Sequence, residues 1–170
     1  MSEIVNYDRL MTKLHRLSTD VSIDIVRTGV DNSLKTIVQP QAKLLAPANE
    51  GELRRNIKTK VDLKGSKVIG SMYNNLEHAP YVEFGTGPKG ATDHSGISPE
   101  ASISYRTEPW FVHKDQIDVG PYRFQEVGDF YKMYGQAAQP FMYPALKDNE
   151  DRVVKNIGNY VKRRLREVSK

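Results

Sequence analysis

Apolar residues recur every three or four positions near the N-terminus and predict two helices. Leu10, Leu14 and Leu17 define a short amphipathic helix over residues 7–17. A longer series predicts one helix with a continuous apolar stripe, formed by Val26, Val30, Leu34, Ile37, Gln41 and Leu44. Pro40 lies inside this helix, removes one backbone hydrogen bond and clashes with the preceding turn. We therefore expect a kink or a break there, before the helix ends at Ala46–Pro47.

The hydrophobic period changes to two after residue 56 and predicts a β-hairpin. One face of the first strand carries Ile57, Thr59, Val61 and Leu63, and the other, wet face carries Lys58, Lys60, Asp62 and Lys64. Gly65–Ser66 suits a tight turn with glycine first, and "KVIGSMY" returns as the partner strand. The following "HAPYVEFGTGP" is too short for periodicity to distinguish a strand from a helical turn.

Residues 88–138 are rich in glycine, serine, proline and aromatic side chains and lack a strong period. Within them, "EPWFVHKDQIDV" and "YRFQEVGDFYKMYG" predict the strands of a hairpin arm over residues 87–136. We expect this arm to be less ordered than the rest of the free subunit, because its glycines and serines raise the entropy cost of ordering. Helical spacing then returns and predicts a final helix of about five or six turns, marked by Val153, Ile157, Tyr160 or Val161, Leu165 and Val168.

Two prolines, Pro140 and Pro144, bracket the apolar residues of "AQPFMYPALKDN". Each proline biases the residue before it toward extended geometry, and Pro144 also suits the first position of a helix. We therefore expect the pair to end the arm and to start the last helix at a fixed angle. Phe141, between them, is expected to anchor this junction in the core.

Together these elements predict an α+β fold. We expect a small antiparallel β-sheet packed by a long kinked N-terminal helix and a C-terminal helix, with a long protruding loop or hairpin arm. The chain has 170 residues, which suits one domain of ordinary size. No internal repeat divides it, so we expect a single domain over residues 1–170.

Composition narrows the class of protein. Hydrophobic residues are 38% and charged residues 27%, which is polar for a globular chain but does not indicate disorder. There is no cysteine, so disulfides and cysteine-ligated zinc are excluded. No apolar run approaches the ~20 residues that span a bilayer, and "MSEIVNYDRL" lacks the features of a secretory signal. We therefore expect a protein that is made in a cytoplasm.

Positive charge is concentrated at the C-terminus. The net charge is +4, and the segment from Asp151 to Lys170 has seven basic and two acidic residues, which leaves −1 for the first 150 residues. The cluster "KRRLRE" is either a DNA-binding surface or a solvated helix end, where cations also complement the helix dipole. The lysines of the hairpin have the same two interpretations. The candidate DNA-facing residues are Lys58, Lys60, Lys64, Lys67, Lys162, Arg163, Arg164 and Arg166.

Catalytic and ligand-binding motifs are weak or absent. "GTGPKG" (Gly85, Gly87 and Gly90) fits the spacing of a dinucleotide loop, but the "ATDHSGISP" that follows is a poor start for a regular helix and favours a plain turn. No zinc-binding spacing relates the four histidines, which are His15, His78, His94 and His113. There is no nucleophile elbow. We therefore expect no cofactor, no metal and no catalytic residues, and a protein that is not an enzyme.

Three segments, "APANEGELRRNI", "HAPYVEFGTG" and "AQPFMYPALKDN", resemble motifs of the gene-product-ten-like tail-component family of tailed bacteriophages. Their order also resembles the family, with a short helix, a long helix with a late proline, a hairpin and a variable arm around them. The resemblance runs from about residue 6 to residue 168. It implies an α+β structural subunit of the head–tail junction, without catalytic residues, that forms a ring around the DNA channel.

The expected function is therefore a neck or tail-completion subunit that joins the connector to the tail in the virion, after synthesis in the host bacterial cytoplasm. The resemblance implies that the chain binds other copies of itself, in a ring of six or twelve subunits. It also implies contacts with adjacent connector, head-closure, tail-terminator or tail-tube proteins. No contact with a membrane is expected. Aromatic residues of the arm are expected to anchor these contacts, namely Trp110, Phe111, Tyr122, Phe124, Tyr131 and Tyr134. The alternative is a non-specific nucleic-acid-binding module that uses the basic C-terminal helix.

Overall fold

The computed structural model describes residues 19–48, 51–120 and 122–168 and has a mixed α+β fold. The predicted helix over residues 7–17 lies outside the described residues. The helices are α1 (Thr19–Ser33), α2 (Gln39–Leu45), α3 (Glu52–Arg55), α4 (Ala79–Phe84), α5 (Gly87–Thr92), α6 (Tyr143–Lys147) and α7 (Glu150–Val168). The strands are β1 (Ile57–Lys64), β2 (Lys67–Asn74), β3 (Trp110–His113), β4 (Gln125–Val127) and β5 (Phe130–Met133).

Backbone contacts divide the described chain into two compact units. The first unit contains residues 19–43, 57–73 and 145–168, and the second contains residues 44–48, 51–56, 74–120 and 122–144. The first unit therefore holds α1, most of the β1–β2 hairpin and α7. The second unit holds α4, α5 and the sheet of β3, β4 and β5. The single domain expected from the sequence stays a prediction.

The long N-terminal helix is one helical run from Thr19 to Leu45, and Pro40 does not break it. A π-helical segment, Leu34–Val38, joins α1 to α2, and the Gln39 N–H donates to the carbonyl of Leu34 five residues back. Because Pro40 has no N–H, the i→i−4 ladder must be interrupted at this point, and the wider π turn takes up the interruption. The helix is therefore not broken at Pro40, and the irregularity expected there includes this widened turn.

The widened turn changes which residues of the long helix are buried. Leu34 and Ile37 are buried as expected, but Leu44, placed on the same stripe by its spacing, is 73% exposed. Ala42 and Ala46 are buried instead. A fixed 3.6-residue period cannot predict this shift, because one turn of five residues rotates every later position on the helix.

Two small residues of α1 bring α7 close to it. A Cβ built at Gly29 would lie 3.2 Å from Cδ1 of Tyr160, so glycine leaves room for that ring. Ser33 is fully buried, and its hydroxyl lies 2.9 Å from the Gly29 carbonyl oxygen and 2.9 Å from Oδ1 of Asn156. The last helix therefore packs on α1 through a tight contact and a buried polar contact, in line with the requirement that buried polar groups find partners.

The β1–β2 hairpin packs on the neighbouring side of α1. A Cβ at Gly70 would lie 2.6 Å from Cγ1 of Val30 and 2.8 Å from Cδ1 of Leu34. Ile57, at the start of β1, is 1% exposed, and its carbonyl accepts a hydrogen bond from Nε2 of Gln39 at 2.8 Å. The hairpin and its Gly65–Ser66 turn, where Gly65 has φ +60°, match the sequence-based prediction.

The segment "HAPYVEFGTGP", which periodicity left open, contains the helix α4, which starts at Ala79 and has Pro80 in its first turn. Two sequence-based expectations need correction. Pro144 lies in the short α6, and a turn at Asp148 and Asn149 separates α6 from the long α7. The two strands expected between residues 87 and 136 are three strands in the order β3–β5–β4, all antiparallel, and a protruding arm is not confirmed.

We predict that replacing Gly70 by valine lowers the free energy of unfolding by about 1–3 kcal/mol, because the added carbons overlap Val30 and Leu34. Gly158→Ala is the matched control. A Cβ there meets nothing within 4 Å, so this change in α7 should raise stability by about 0.5–1 kcal/mol. Urea unfolding followed by circular dichroism measures both values. Equal stability of the two variants would show that the hairpin is not packed closely on α1.

Candidate assembly surfaces

The first family-like motif, "APANEGELRRNI", is held by an arginine. The side chain of Arg54 donates two hydrogen bonds to the carbonyl oxygen of Ala46, from Nε at 3.1 Å and from Nη2 at 2.9 Å. This carbonyl follows directly after α2, where the last turn leaves acceptors without helical partners. Gly51 supplies the left-handed residue, with φ +76°, from which α3 starts. Arg54 therefore links α3 to the end of α2.

The second and third motifs meet at a buried carboxylate. Glu83 of "YVEFGTG" is only 5% exposed and accepts three backbone N–H groups of "QPFMYP". Its Oε2 accepts from Phe141 at 2.8 Å and from Met142 at 3.0 Å, and its Oε1 accepts from Tyr143 at 3.0 Å. We call this arrangement the Glu83 clamp. It satisfies three donors at the start of α6, which no helical carbonyl can reach.

The two ends of the stretch from residue 85 to residue 139 are joined by a backbone seam. Thr86 and Gln136 exchange N–H···O bonds of 2.9 and 3.1 Å, and the N–H of Gln139 donates to the Val82 carbonyl at 2.8 Å. Glycine is required on both sides of the seam. A Cβ at Gly85 would lie 2.8 Å from the Ala138 nitrogen, and a Cβ at Gly135 would overlap the Thr86 carbonyl.

The seam explains the glycines of "GTGPKG". A helix, α4, precedes them in place of the strand that a dinucleotide site needs. The short helix α5 contains Gly87 and Gly90, and "ATDHSGISP" continues it for only two residues, to Thr92. Gly87 lies close to the ring of Trp110 and the backbone of Tyr134, and Gly90 lies close to the ring of Tyr105. The glycines therefore serve close packing of backbone and aromatic rings.

The three-stranded sheet distributes its aromatic residues over two faces. The register pairs Trp110 with Met133 and Val112 with Tyr131 on one face, where Phe124 also contacts Tyr131 with ring centroids 6.0 Å apart. The rings of this face are half-buried. Trp110 also lies beneath the guanidinium of Arg106, 5.5 Å from the ring centroid. This face is therefore largely engaged within the second unit.

The opposite face of the sheet carries exposed apolar side chains. Phe111 is 53% exposed, Phe130 is 43% exposed and Val127 is 45% exposed. Phe130 lies opposite both His113 and Val127, and the next row contains Phe111 and Lys132. We call this surface the sheet face. Of the six aromatics expected to anchor partners, Phe111 lies on this face, and the hydroxyl of Tyr134 donates to Oε1 of Gln125 there at 3.2 Å. Tyr122, 64% exposed, follows β3 in a loop. Phe130 and Val127 were missed, because only the register shows that they share a face with Phe111.

The lysines of the hairpin are exposed, as the alternation predicted. Lys60 is held 2.9 Å from Asp62, and this hydrogen bond, together with the charge of Asp62, raises the pKa of Lys60. Lys58, Lys64 and Lys67 form no ion pair with the described residues. The two-residue turn places Lys64 opposite Lys67 at the end of the hairpin. The apolar Leu63 and Ile69 beside them are 44% and 37% exposed.

The basic residues of α7 lie on its exposed side. Arg164 pairs with Glu167 at 2.5 Å, and the guanidinium of Arg163 lies 5.4 Å from the ring centroid of Tyr160. A shallow depression beside them is lined by Asn159, Lys162, Arg163, Arg166 and Glu167. The structure thus places Lys162, Arg163 and Arg166 together on one surface, and it holds Arg164 partly neutralised.

Within the described residues, no group of three or more histidine, aspartate or glutamate side chains is placed to bind a metal ion. His113 contacts Asp115 at 3.4 Å and the ring of Phe130 edge-on, and His94 stacks on Tyr105. None of the described helices combines the length and the apolar character that crossing a membrane demands. The sequence analysis missed Glu83, and the signal that could have found it is its position within the apolar "YVEF", since a glutamate is rarely buried without partners.

Residues 8–85 match the model of the family described as "Bacteriophage HK97-gp10, putative tail-component". The match confirms the resemblance that the first two motifs indicate, and the matched residues include α1, the hairpin, Arg54 and Glu83. The third motif lies beyond the matched residues. Residues 8–85 are thus similar to a family of bacteriophage tail components. Neither curated proteins nor solved structures provide a match to the chain.

We predict that Glu83→Gln destabilises the protein by roughly 2–4 kcal/mol. The NH₂ group of the amide would face a buried backbone N–H, so two donors would oppose each other. The hydrogen bonds that remain would be weaker, because their acceptor would no longer be a carboxylate. The melting temperature should fall, and the amides of Phe141, Met142 and Tyr143 should exchange hydrogen faster. The control is Glu77→Gln, at an exposed position two residues before α4 begins. An unchanged melting temperature together with unchanged exchange at these three amides would show that the clamp is dispensable.

Proposed function

We propose, from the membership of residues 8–85 in this tail-component family, that the chain is a neck or tail-completion subunit. In this role it forms a homo-oligomeric ring at the head–tail junction and joins the connector to the tail around the DNA channel. The family match is the observation that carries the proposal.

Two structural features support the proposal. The second unit presents the exposed Phe111, Val127 and Phe130 on a regular sheet, and large apolar side chains gathered on one surface are typical of contacts with other proteins. The clamp and the seam hold both ends of the chain that carries this sheet, so the surface is preformed. A preformed surface loses less entropy when it binds a neighbour.

The test of this function is made in the phage that carries the gene. Removing the gene should yield DNA-filled heads and complete tails that are not joined, because a junction subunit is needed after both are built. Supplying the wild-type chain from a plasmid should restore infectious particles. Gold-labelled antibody against a tagged chain should mark the junction of restored virions, and labelling along the tail shaft or at its tip would contradict the proposal.

The alternative function, a nucleic-acid-binding module, is supported by the exposed basic side of α7. We expect the DNA affinity of the chain to be non-specific and electrostatic, since side chains on one helix side reach phosphates without reading bases. A preference for one DNA sequence that survives high salt would favour the binding module over the junction subunit.

We predict that changing Lys162, Arg163, Arg164 and Arg166 to glutamine weakens DNA binding and flattens its salt dependence, by roughly one unit of log–log slope for each phosphate that the variant no longer neutralises. Fluorescence anisotropy at several salt concentrations measures the slope. The matched control removes four exposed charges elsewhere, by Arg55→Gln, Lys89→Gln, Arg106→Gln and Arg123→Gln. If the control flattens the slope as much as the α7 variant, net charge rather than this surface governs binding.

A further inference from the structure

Charge is divided between the two units in a way that the linear sequence hides. The described residues of the first unit include 14 basic and 8 acidic residues, a net charge of +6. Those of the second unit include 7 basic and 10 acidic residues, a net charge of −3. Seven of these acidic residues and only three basic ones lie between residues 93 and 129, around the three-stranded sheet. The first unit is therefore net basic and the second unit net acidic.

The tip of the β1–β2 hairpin, in the first unit, combines positive charge with exposed apolar side chains. Lys64 and Lys67 lie opposite each other there, and like charges in directly opposed positions destabilise a strand pair. Ile69 adds exposed apolar area on the face of the two lysines, and Leu63 adds it on the opposite face of the hairpin. A two-stranded hairpin is only marginally stable on its own, so this tip gains most from a partner that supplies both negative charge and apolar contact. We call these four residues the hairpin tip.

The sheet face has the complementary character. Its apolar row of Val127 and Phe130 ends beside His113, and Asp115, with 88% of its side chain exposed, follows two residues later. Asp129 lies in the turn before Phe130, and its carbonyl accepts the N–H of Lys114, which places it at the same end of the sheet. Exposed phenylalanine and valine side chains are thus edged by aspartates.

We propose that the hairpin tip of one copy docks head-to-tail on the sheet face of the next copy. Lysines meet aspartates, which orients the contact, and Ile69, on the same face of the hairpin as the lysines, covers the exposed phenylalanines. Because the two surfaces differ, each copy keeps one of each free, and the contact repeats until a ring closes. This inference rests on the proposed ring function and assigns the hairpin lysines to the neighbouring subunit. DNA phosphates would pair with the lysines but would leave Ile69 exposed.

Cross-linking tests the contact directly, because the wild-type chain contains no cysteine. Ser66→Cys, in the hairpin turn, and Val127→Cys, on the sheet face, are purified separately, mixed at high concentration and treated with a bismaleimide. The mixture should give a dimer that contains one chain of each variant, and neither variant alone should cross-link. The double variant should give a ladder that stops at the ring size. A mixture of Val127→Cys with Asp24→Cys, exposed on α1, is the control.

Charge reversal tests the lysine–aspartate pairing. Lys64→Glu with Lys67→Glu should weaken self-association at least about tenfold in sedimentation velocity, and so should Asp115→Lys with Asp129→Lys. Mixing the two variants should restore assembly, because every contact in the mixed ring is again between opposite charges.

The outcomes separate this contact from the ring function. Self-association without the Ser66–Val127 cross-link, or unaffected by charge reversal, overturns the inference and leaves the junction function standing. If Lys64→Glu with Lys67→Glu loses DNA binding while its self-association is unchanged, the hairpin tip binds DNA, and the inference is again overturned. A chain that does not self-associate, and that labels no head–tail junction, overturns both.

Discussion

The carboxylate of Glu83 is the interaction on which the second unit depends. It is buried and charged, and it is acceptable there because three backbone N–H groups converge on its two oxygens. Those donors belong to Phe141, Met142 and Tyr143, the residues at which the chain returns from the sheet. Pro140 and Pro144 remove two donors from this segment and limit its conformations, so the remaining N–H groups point in a fixed direction. Carboxylate and prolines thus act together at one point.

The arrangement of the chain between residues 85 and 139 depends on the contacts that hold its two ends together. The backbone hydrogen bonds between Thr86 and Gln136 join the two ends of this stretch. The neighbouring glycines let the two backbones approach more closely than any side chain would permit. The sheet grows outward from that base with one face engaged by neighbouring rings and one face exposed. A stretch with little periodicity therefore forms regular structure because its two ends are fixed, which lowers the entropy lost in ordering what lies between them.

The first unit is organised differently, around one long helix. Its small residues decide what packs on it: Gly29 and Ser33 admit α7, and Val30 and Leu34 receive Gly70 of the hairpin. Two neighbouring stripes of α1 thus carry the two elements with the most positive charge. The basic hairpin and the basic helix are far apart in the sequence, and they belong to one unit because they share a helix as support.

The sequence alone determined the type of the elements that have a strong hydrophobic period, and it indicated the tail-component family that residues 8–85 match. The long helix, the hairpin with its glycine turn and the last helix follow from local spacing and turn chemistry, which need no knowledge of distant residues. The motifs indicated the family before any contact was known, because motif residues such as Arg54 and Glu83 are tied to specific backbone geometry.

Tertiary structure alone decided what those residues do. The register of β3, β4 and β5 placed Phe130 and Val127 on the same face as Phe111. The π turn before Pro40 left Leu44 exposed and buried Ala42. The Glu83 clamp joined segments that are 58 residues or more apart. The physical reason is that each depends on contacts between distant parts of the chain, which periodicity in a short window does not contain.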